Sequence, residues 1–276
     1  MSNESKGTAL ITGASSGIGA IYADRLARRG YDLILVARNQ ERLEKLAARI
    51  EWETGALAGV LAADLNDPID LHRVEEAFSL DSSISILVNN AGAGLVAPTL
   101  DSDVDAMEAM ISLNVTALTR LAYAAAKNFV DRGAGAIINI SSAVAIAPEI
   151  LNGVYGATKS YVLAFSQSLR QELENTGVRV QVVMPGAVAT DFWATAGKPV
   201  EELPEQLVMS TEDAVDAALA GFDLGEFATI PSLPDARDWD AFESARLAFR
   251  PNLSLTRPAS RYISTSPEAA WNWRAP

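Results

Sequence analysis

Short runs that are apolar at nearly every position recur along the chain: TALIT (8–12), DLILVA (32–37), LAGVLAA (57–63), SILVNN (85–90), AIINIS (136–141), RVQVVM (179–184) and EFATI (226–230). Continuous apolar character, rather than strict alternation, is the pattern of strands buried on both faces, as parallel strands are. Helical patterns lie between the runs. IGAIYADRLARRG (18–30) ends on a glycine suited to the residue after a helix, and NQERLEKLAARIEWETG (39–55) opens on Asn39, a good N-cap, and ends near Gly55. Two longer stretches, 103–133 and 154–177, also read as helices. Strand and helix alternate throughout, which predicts a doubly wound α/β fold: a seven-stranded, mostly parallel sheet with helices on both faces. Ligands of such sheets collect at the carboxyl ends of the strands.

The composition narrows the chemistry. The 276 residues are 49% hydrophobic and 21% charged, within the range of a globular α/β domain. No apolar run reaches the ~18 residues that a membrane span needs. The stretch MSNESKGTALITG lacks a basic region followed by a long apolar one, so no signal peptide is expected. With no cysteine, disulfides, thiol nucleophiles and thiolate metal sites are excluded. His72 is the only histidine and sits in a helical pattern, so no metal site is expected. A net charge of −13 argues against nucleic acid or an anionic membrane as partner. The expectation is a soluble cytoplasmic protein.

The stretch TGASSGIG (12–19) follows the first strand and opens the first helix. Gly13, Gly17 and Gly19 allow a tight turn and a close backbone approach. The free N–H groups of the helix start, with Ser15, Ser16 and Ile18 beside them, then suit a pyrophosphate. The spacing is Gly-x3-Gly-x-Gly, not the commoner Gly-x-Gly-x2-Gly. In order along residues 8 to about 190 come TGASSGIG, NNAG (89–92), Asn114, Ser142, YGATK (155–159) and PGAVAT (185–190). On this set the chain resembles the compact branch of the short-chain dehydrogenase/reductase family. The resemblance implies a Rossmann fold, a nicotinamide cofactor and a homodimer or homotetramer, with the helices at about 104–132 and 154–176 as contact faces.

The end of the second strand bears on the cofactor. An acid there would hold the ribose of NAD; this chain has Ala37 and then Arg38. Alanine leaves room for a 2′-phosphate and a guanidinium binds one well, so NADP(H) is expected. Asp32 lies at the wrong end of the strand to substitute. By resemblance, Asp64 and Leu65 would contact the adenine, and Asn90, Ala91 and Gly92 would lie nearest the ribose. Pro185, Gly186, Val188 and Thr190 would lie against the nicotinamide and its carboxamide.

Carbonyl reduction needs a hydride, from the cofactor, and a proton, from the protein. Without a useful histidine, Tyr155 is the candidate acid. A free phenol titrates near ~10, and a nearby cation should bring it down. Lys159 stands four residues on, one turn along the same helix face, whereas Tyr161 lies about 200° round from Lys159 and points away to the core or an interface. By resemblance, Lys159 also bonds the nicotinamide ribose, and Ser142, at the family-like distance from Tyr155, polarises the substrate oxygen. Its neighbour Ser141 should point to the other side of the strand. Asn114 resembles the residue that holds a water linking Lys159 to solvent.

Segments 93–97, 143–153 and 187–209 are the candidate substrate walls, with Val144, Leu151, Phe192 and Trp193 as pocket residues. The third, rich in Gly and Pro after Trp193, reads as a mobile lid. Apolar walls suit a small-molecule ketone or aldehyde with an aryl or bulky substituent. One rival is reduction of a 3-oxoacyl group on an acyl carrier protein, which the acidic charge disfavours because such carriers are acidic themselves. Sugar epimerases and dehydratases share a tyrosine–lysine pair but usually have another glycine spacing and a larger carboxyl-terminal domain. A rival of another class is a catalytically silent NADP-binding sensor or scaffold, against which the intact Ser142–Tyr155–Lys159 set argues. Residues 1–232 are expected to form the catalytic domain. From about 233 to 276 the chain reads as an extension with one helical patch (235–248), packing on the domain or on a neighbouring subunit. Trp271 and Trp273 there are costly to leave in water.

Overall fold

The computed structural model describes residues 5–151 and 153–263. Trp271 and Trp273 therefore lie outside the described residues. The chain divides into two compact units, Met1–Ser232 and Leu233–Pro276.

The first unit is built on a parallel sheet. Its strands in chain order are β1 (Thr8–Thr12), β2 (Asp32–Ala37), β3 (Ala58–Ala62), β4 (Ile84–Asn89), β5 (Gly135–Ile140) and β6 (Val178–Val183). They are followed by the two-residue strands β7 (Ala187–Val188), β8 (Val208–Met209) and β9 (Ala228–Thr229). The main sheet has seven strands in the order β3-β2-β1-β4-β5-β6-β9, every pair parallel. The order reverses beside β1, where a doubly wound sheet opens a crevice. Each of the seven apolar runs supplies one of these strands. β1 is buried along its whole length, as the unbroken apolar run requires.

Helices α1 (Gly17–Arg28), α2 (Gln40–Thr54), α3 (Pro68–Leu80), α4 (Val104–Ile111), α5 (Leu118–Arg132) and α6 (Gly153–Glu172) cross between strands. The short α7 (Phe192–Thr195) and the longer α8 (Thr211–Leu224) follow. Asn39 caps α2 by accepting the Arg42 N–H at 2.9 Å, and Gly55 closes the helix in the left-handed conformation, φ 76°. The 103–133 stretch is not one regular helix. A π turn, Ser112–Ala117, separates α4 from α5 and contains Asn114.

The 187–209 segment, expected to be a mobile lid, is anchored at its base. β7 pairs with β8, so both ends of the loop are stitched together, and Trp193 is buried and donates from Nε1 to the Val188 carbonyl at 3.0 Å. An indole must find a partner when buried, and here that partner pins α7 to the loop base.

The second unit holds α9 (Ala236–Ala248), capped by Asp235, which accepts the Arg237 N–H at 2.9 Å. None of its described residues is buried; Phe249, Leu253, Leu255 and Tyr262 are 65–73% exposed.

Candidate active site

The carboxyl ends of β1, β4, β5 and β6 bring the motif residues together. Gly13 and Gly17 adopt φ of +66° and +54°, which only glycine takes readily. A Cβ on Gly19 would collide with the Gly13 carbonyl and stand 2.6 Å from Asn90 Nδ2. The loop thus closes tightly over the start of α1. Ser16 precedes that helix without a side-chain capping bond, and its first turn has no acid. These free N–H groups and the positive end of the helix dipole fit a dinucleotide pyrophosphate. Ser15 and Ile18 flank the same loop, and the Thr190 side chain packs on Gly17, with Cγ2 3.1 Å from where a Cβ would stand.

Thr12 ties this loop to the next one, a connection the sequence reading missed. Its Oγ1 accepts the N–H groups of Asn90 and Ala91, both at 3.0 Å, and Asn90 Nδ2 donates back to the Thr12 carbonyl at 2.9 Å. Arg38 is exposed after β2 and has no ion pair among the described residues. Asp64 accepts the Asn66 N–H at 3.0 Å and Leu65 is buried beside it. Asp32, at the opposite end of β2, accepts the Leu57 N–H at 2.8 Å.

Tyr155, Ser142, Lys159 and Asn114 are all buried, at 6%, 9%, 6% and 1% exposure, so water screens none of them well. The Tyr155 hydroxyl is hydrogen-bonded to the Ser142 side chain. Adjacent Ser141 points the other way and donates to the Lys159 carbonyl at 2.7 Å, as alternation along an extended strand requires. Ser142 makes only long contacts besides, 3.4 Å to the Pro185 carbonyl and 3.4 Å from the Val144 N–H.

Lys159 Nζ donates to the Ile140 carbonyl at 3.0 Å and lies 5.8 Å from the Tyr155 ring centre. The expected lowering of the Tyr155 pKa is not found in the protein alone. Burial pushes it up to about 12, the Ser142 hydrogen bond opposing only in part, while burial drives Lys159 down to about 8. Helical spacing placed the lysine on the right face, but desolvation sets the direction of both shifts.

Asn114 is fully engaged. Its Oδ1 accepts the Ala93 N–H at 2.9 Å, and its Nδ2 donates to the Ala93 carbonyl at 2.8 Å and to Thr158 Oγ1 at 3.1 Å. The side chain therefore holds the loop after β4 against α6. Gly92 lies between Asn114 and Lys159: a Cβ there would stand 3.2 Å from Asn114 Oδ1 and 3.5 Å from Lys159 Nζ.

Val144 packs with Tyr155, Met107 and Met110 in one apolar cluster, which Leu151, Phe192 and Leu95 border. The methionines were missed; their i, i+3 spacing on a helix was the available signal. Trp193 stays behind this wall, edge-on to Phe192 with ring centres 5.6 Å apart. Tyr161 turns outward, shares a 2.8 Å hydrogen bond with Thr119 and stacks on Phe165.

The family model for short chain dehydrogenase matches residues 7–201. The chain belongs to the short-chain dehydrogenase family. It is a nicotinamide-dependent oxidoreductase acting on CH–OH and carbonyl groups. A short-chain dehydrogenase from Sphingobium yanoikuyae, solved with NADPH, is 49% identical, with a TM-score of 0.90 over 93% of this chain and 100% of that one. The bulky-bulky ketone specific alcohol dehydrogenase from Comamonas testosteroni is 43% identical, with a TM-score of 0.86 over 94% of this chain and 99% of its own. Among curated relatives, human 17-beta-hydroxysteroid dehydrogenase type 3 is 37% identical over 66% of this chain and 59% of its own length. The very-long-chain 3-oxoacyl-CoA reductase of Anas platyrhynchos is 34% identical over 71% of this chain and 64% of its own. The chain thus spans roughly three fifths of those two relatives. Residues 1–232 are 84% of the 276-residue chain, so both structural matches extend into the second unit. Among the described residues no helix is long and apolar enough to cross a membrane.

Proposed function

We propose that the enzyme reduces an apolar ketone or aldehyde to the alcohol with NADPH, reversibly, using Tyr155 as proton donor. The observation that carries this reading is the burial of Tyr155, hydrogen-bonded to Ser142 and one helical turn from Lys159, next to the glycine loop. The bound nicotinamide supplies the hydride. Tyr155, raised to about 12, is protonated at neutral pH, the form a proton donor needs. Its hydroxyl gives that proton to the carbonyl oxygen as negative charge develops there, and Ser142 donates a hydrogen bond to the same oxygen. Lys159 holds the ribose and returns a proton towards Tyr155, with Asn114 positioning the loop beside it. Gly13, Ser15, Ser16, Gly17, Ile18 and Gly19 cradle the pyrophosphate. Asp64 and Leu65 meet the adenine, Asn90, Ala91 and Gly92 the ribose, and Pro185, Gly186, Val188 and Thr190 the nicotinamide.

The exposed Arg38 after Ala37 supports NADP(H) over NAD(H). The apolar cluster of Val144, Leu151 and Phe192 supports an apolar or aryl substituent, in line with the bulky ketone named for the Comamonas enzyme. The likeness to 3-oxoacyl-CoA reductases supports a second substrate class, a 3-oxoacyl thioester. A carrier-protein version of it remains at odds with a net charge of −13. Tyr123 and Tyr161 at 63% and 37% exposure, both stacked on Phe165, support a homodimer or homotetramer through α5 and α6. The exposed apolar side chains of residues 233–263 support an extension covered by a neighbouring subunit.

The test is NADPH consumption across a panel of aryl ketones, dialkyl ketones, aldehydes and 3-oxoacyl thioesters, with NADH in parallel. Turnover of a carbonyl with NADPH preferred is expected. Cofactor binding without consumption on any substrate would instead leave the silent sensor.

A further inference from the structure

Gly94 is a glycine for which the backbone gives no reason. It is absent from the residues with positive φ, so an alanine would meet no conformational strain there. Space gives the reason instead. A Cβ on Gly94 would collide with Phe192 Cζ and stand 2.7 Å from Phe192 Cε2 and 3.3 Å from Tyr155 Cδ2. The Phe192 ring thus lies in a notch that exists because residue 94 has no side chain. From there it covers the Tyr155 ring, with centres 5.7 Å apart.

Two further contacts hold the arrangement from behind. Val96 N–H donates to the Ala196 carbonyl at 3.0 Å, joining the loop after β4 to the end of α7. Trp193 is pinned to Val188. The backbone of α7 is therefore fixed on both sides, while the Phe192 ring is the far end of a side chain with two rotatable bonds. That ring can move without breaking a hydrogen bond. Tyr155 is 6% exposed beside it, and the ring is one of the side chains that bury it, with Val144, Met107 and Met110.

Resting on the carbonyl-reductase reading, we propose that Phe192, seated in the Gly94 notch, determines how large a carbonyl substituent reaches Tyr155. A substrate binds by displacing the ring, and its larger substituent takes the space the ring leaves. A small substituent leaves the notch half empty and recovers less contact than the ring gave up; a second aryl group refills it.

The test compares wild type, Phe192→Ala, Gly94→Ala and the double variant. Calorimetry measures binding of diphenylmethanol and 1-phenylethanol, with saturating NADPH and without it, conditions under which neither alcohol reacts. Initial rates are measured with benzophenone and acetophenone. Phe192→Ala is expected to tighten diphenylmethanol by about 10-fold, the scale of a hydrophobic pocket's discrimination, and 1-phenylethanol much less. Gly94→Ala fills the notch itself, so it is expected to weaken diphenylmethanol more than 1-phenylethanol. The double variant falls short of Phe192→Ala, since the added methyl occupies space the second aryl group would fill. Equal or weaker diphenylmethanol binding in Phe192→Ala, tighter diphenylmethanol binding in Gly94→Ala, or no binding to any of the four proteins overturns the proposal. Tightened binding with no NADPH consumption on either ketone sinks the carbonyl-reductase reading and leaves the steric role of Phe192 standing. Thermal melts confirm that each variant folds.

Discussion

Lys159 gives the most exacting test of the site's electrostatics, because its signature appears in stability and needs no substrate. The ammonium is buried, donates to the Ile140 carbonyl, and has its pKa lowered from an ordinary 10.5 to about 8 by desolvation. The unfolded chain therefore binds this proton more tightly than the folded one. Between about pH 8 and 10.5 the unfolded state carries the extra proton, so stability must rise with pH across that window. Below about 8 both states are protonated and the folded state bears the full penalty, about 3 kcal/mol for a shift of this size. Integrated from pH 7.5 to 9.5, the gain from this one group is about 2 kcal/mol. Tyr155 works in the other direction and later: raised from 10.0 to about 12, it removes stability only as pH passes 10, where the unfolded phenol ionises first. Urea unfolding of the cofactor-free protein at pH 7.5, 8.5 and 9.5, for wild type and Lys159→Met, isolates the lysine. The variant loses the Ile140 hydrogen bond, a pH-independent cost of about 1 kcal/mol, but is freed of the buried charge. It should be the more stable protein at pH 7.5 and lose that advantage by pH 9.5. A stability difference that stays flat, or grows, over this range would refute the desolvated lysine.

Three other outcomes follow from the geometry. Tyr155→Phe should lose turnover by at least ~100-fold while NADPH still quenches or shifts protein fluorescence, since only the acid is removed. Arg38→Ala should raise the NADPH KM by about 10-fold, as lost ionic hydrogen bonds of about 1.5–3 kcal/mol predict, and leave the NADH KM nearly unchanged; equal effects on both would deny Arg38 a 2′-phosphate. Asn39→Ala, which removes the cap of α2, should lower unfolding free energy by about 1 kcal/mol in denaturant melts with no change in slope.

What could be read ahead of the structure was what depends on neighbours in sequence. Both-face burial writes itself as unbroken apolar runs, so the strands and their alternation with helices were visible. The Asn39 and Gly55 ends of α2 were visible because capping is local. The Tyr155–Lys159 pair was visible as one helical turn; its protonation energetics were not, because burial is decided by β5, α4 and the loops that close over it. The π turn at 112–117 has the same explanation. Asn114 makes its side-chain bonds to Ala93 and Thr158, 21 and 44 residues away, and no local pattern announces such partners. Nor does a glycine run reveal that Gly94 is small for the sake of Phe192.

The deepest determinant of the site's geometry lies one layer below it, in residues that looked like polar interruptions of apolar strands. Asn89 on β4 stands directly opposite Asn139 on β5. Asn89 Nδ2 donates to Asn139 Oδ1 at 3.1 Å and to the Leu118 carbonyl at 3.2 Å, and Asn139 Nδ2 donates to Ser166 Oγ at 3.0 Å. All three side chains are at most 3% exposed, so each lost bond would strand an amide or hydroxyl in the core. A one-residue slip of β4 against β5 would break the pair and turn the Asn89 amide to the opposite face of the sheet from Asn139. The amide pair therefore fixes the register in which Asn90–Gly92 and Ser141–Ser142 emerge side by side. Ser166 extends the constraint to α6: it lies seven residues after Lys159, two turns along the same face, so its bond to Asn139 sets the rotation that aims Tyr155 and Lys159 at the strand ends. Polar residues in a parallel sheet are usually read as tolerated. Here their mutual pairing is what makes one register, and hence one arrangement of the phenol, the hydroxyl and the amine, the favoured state.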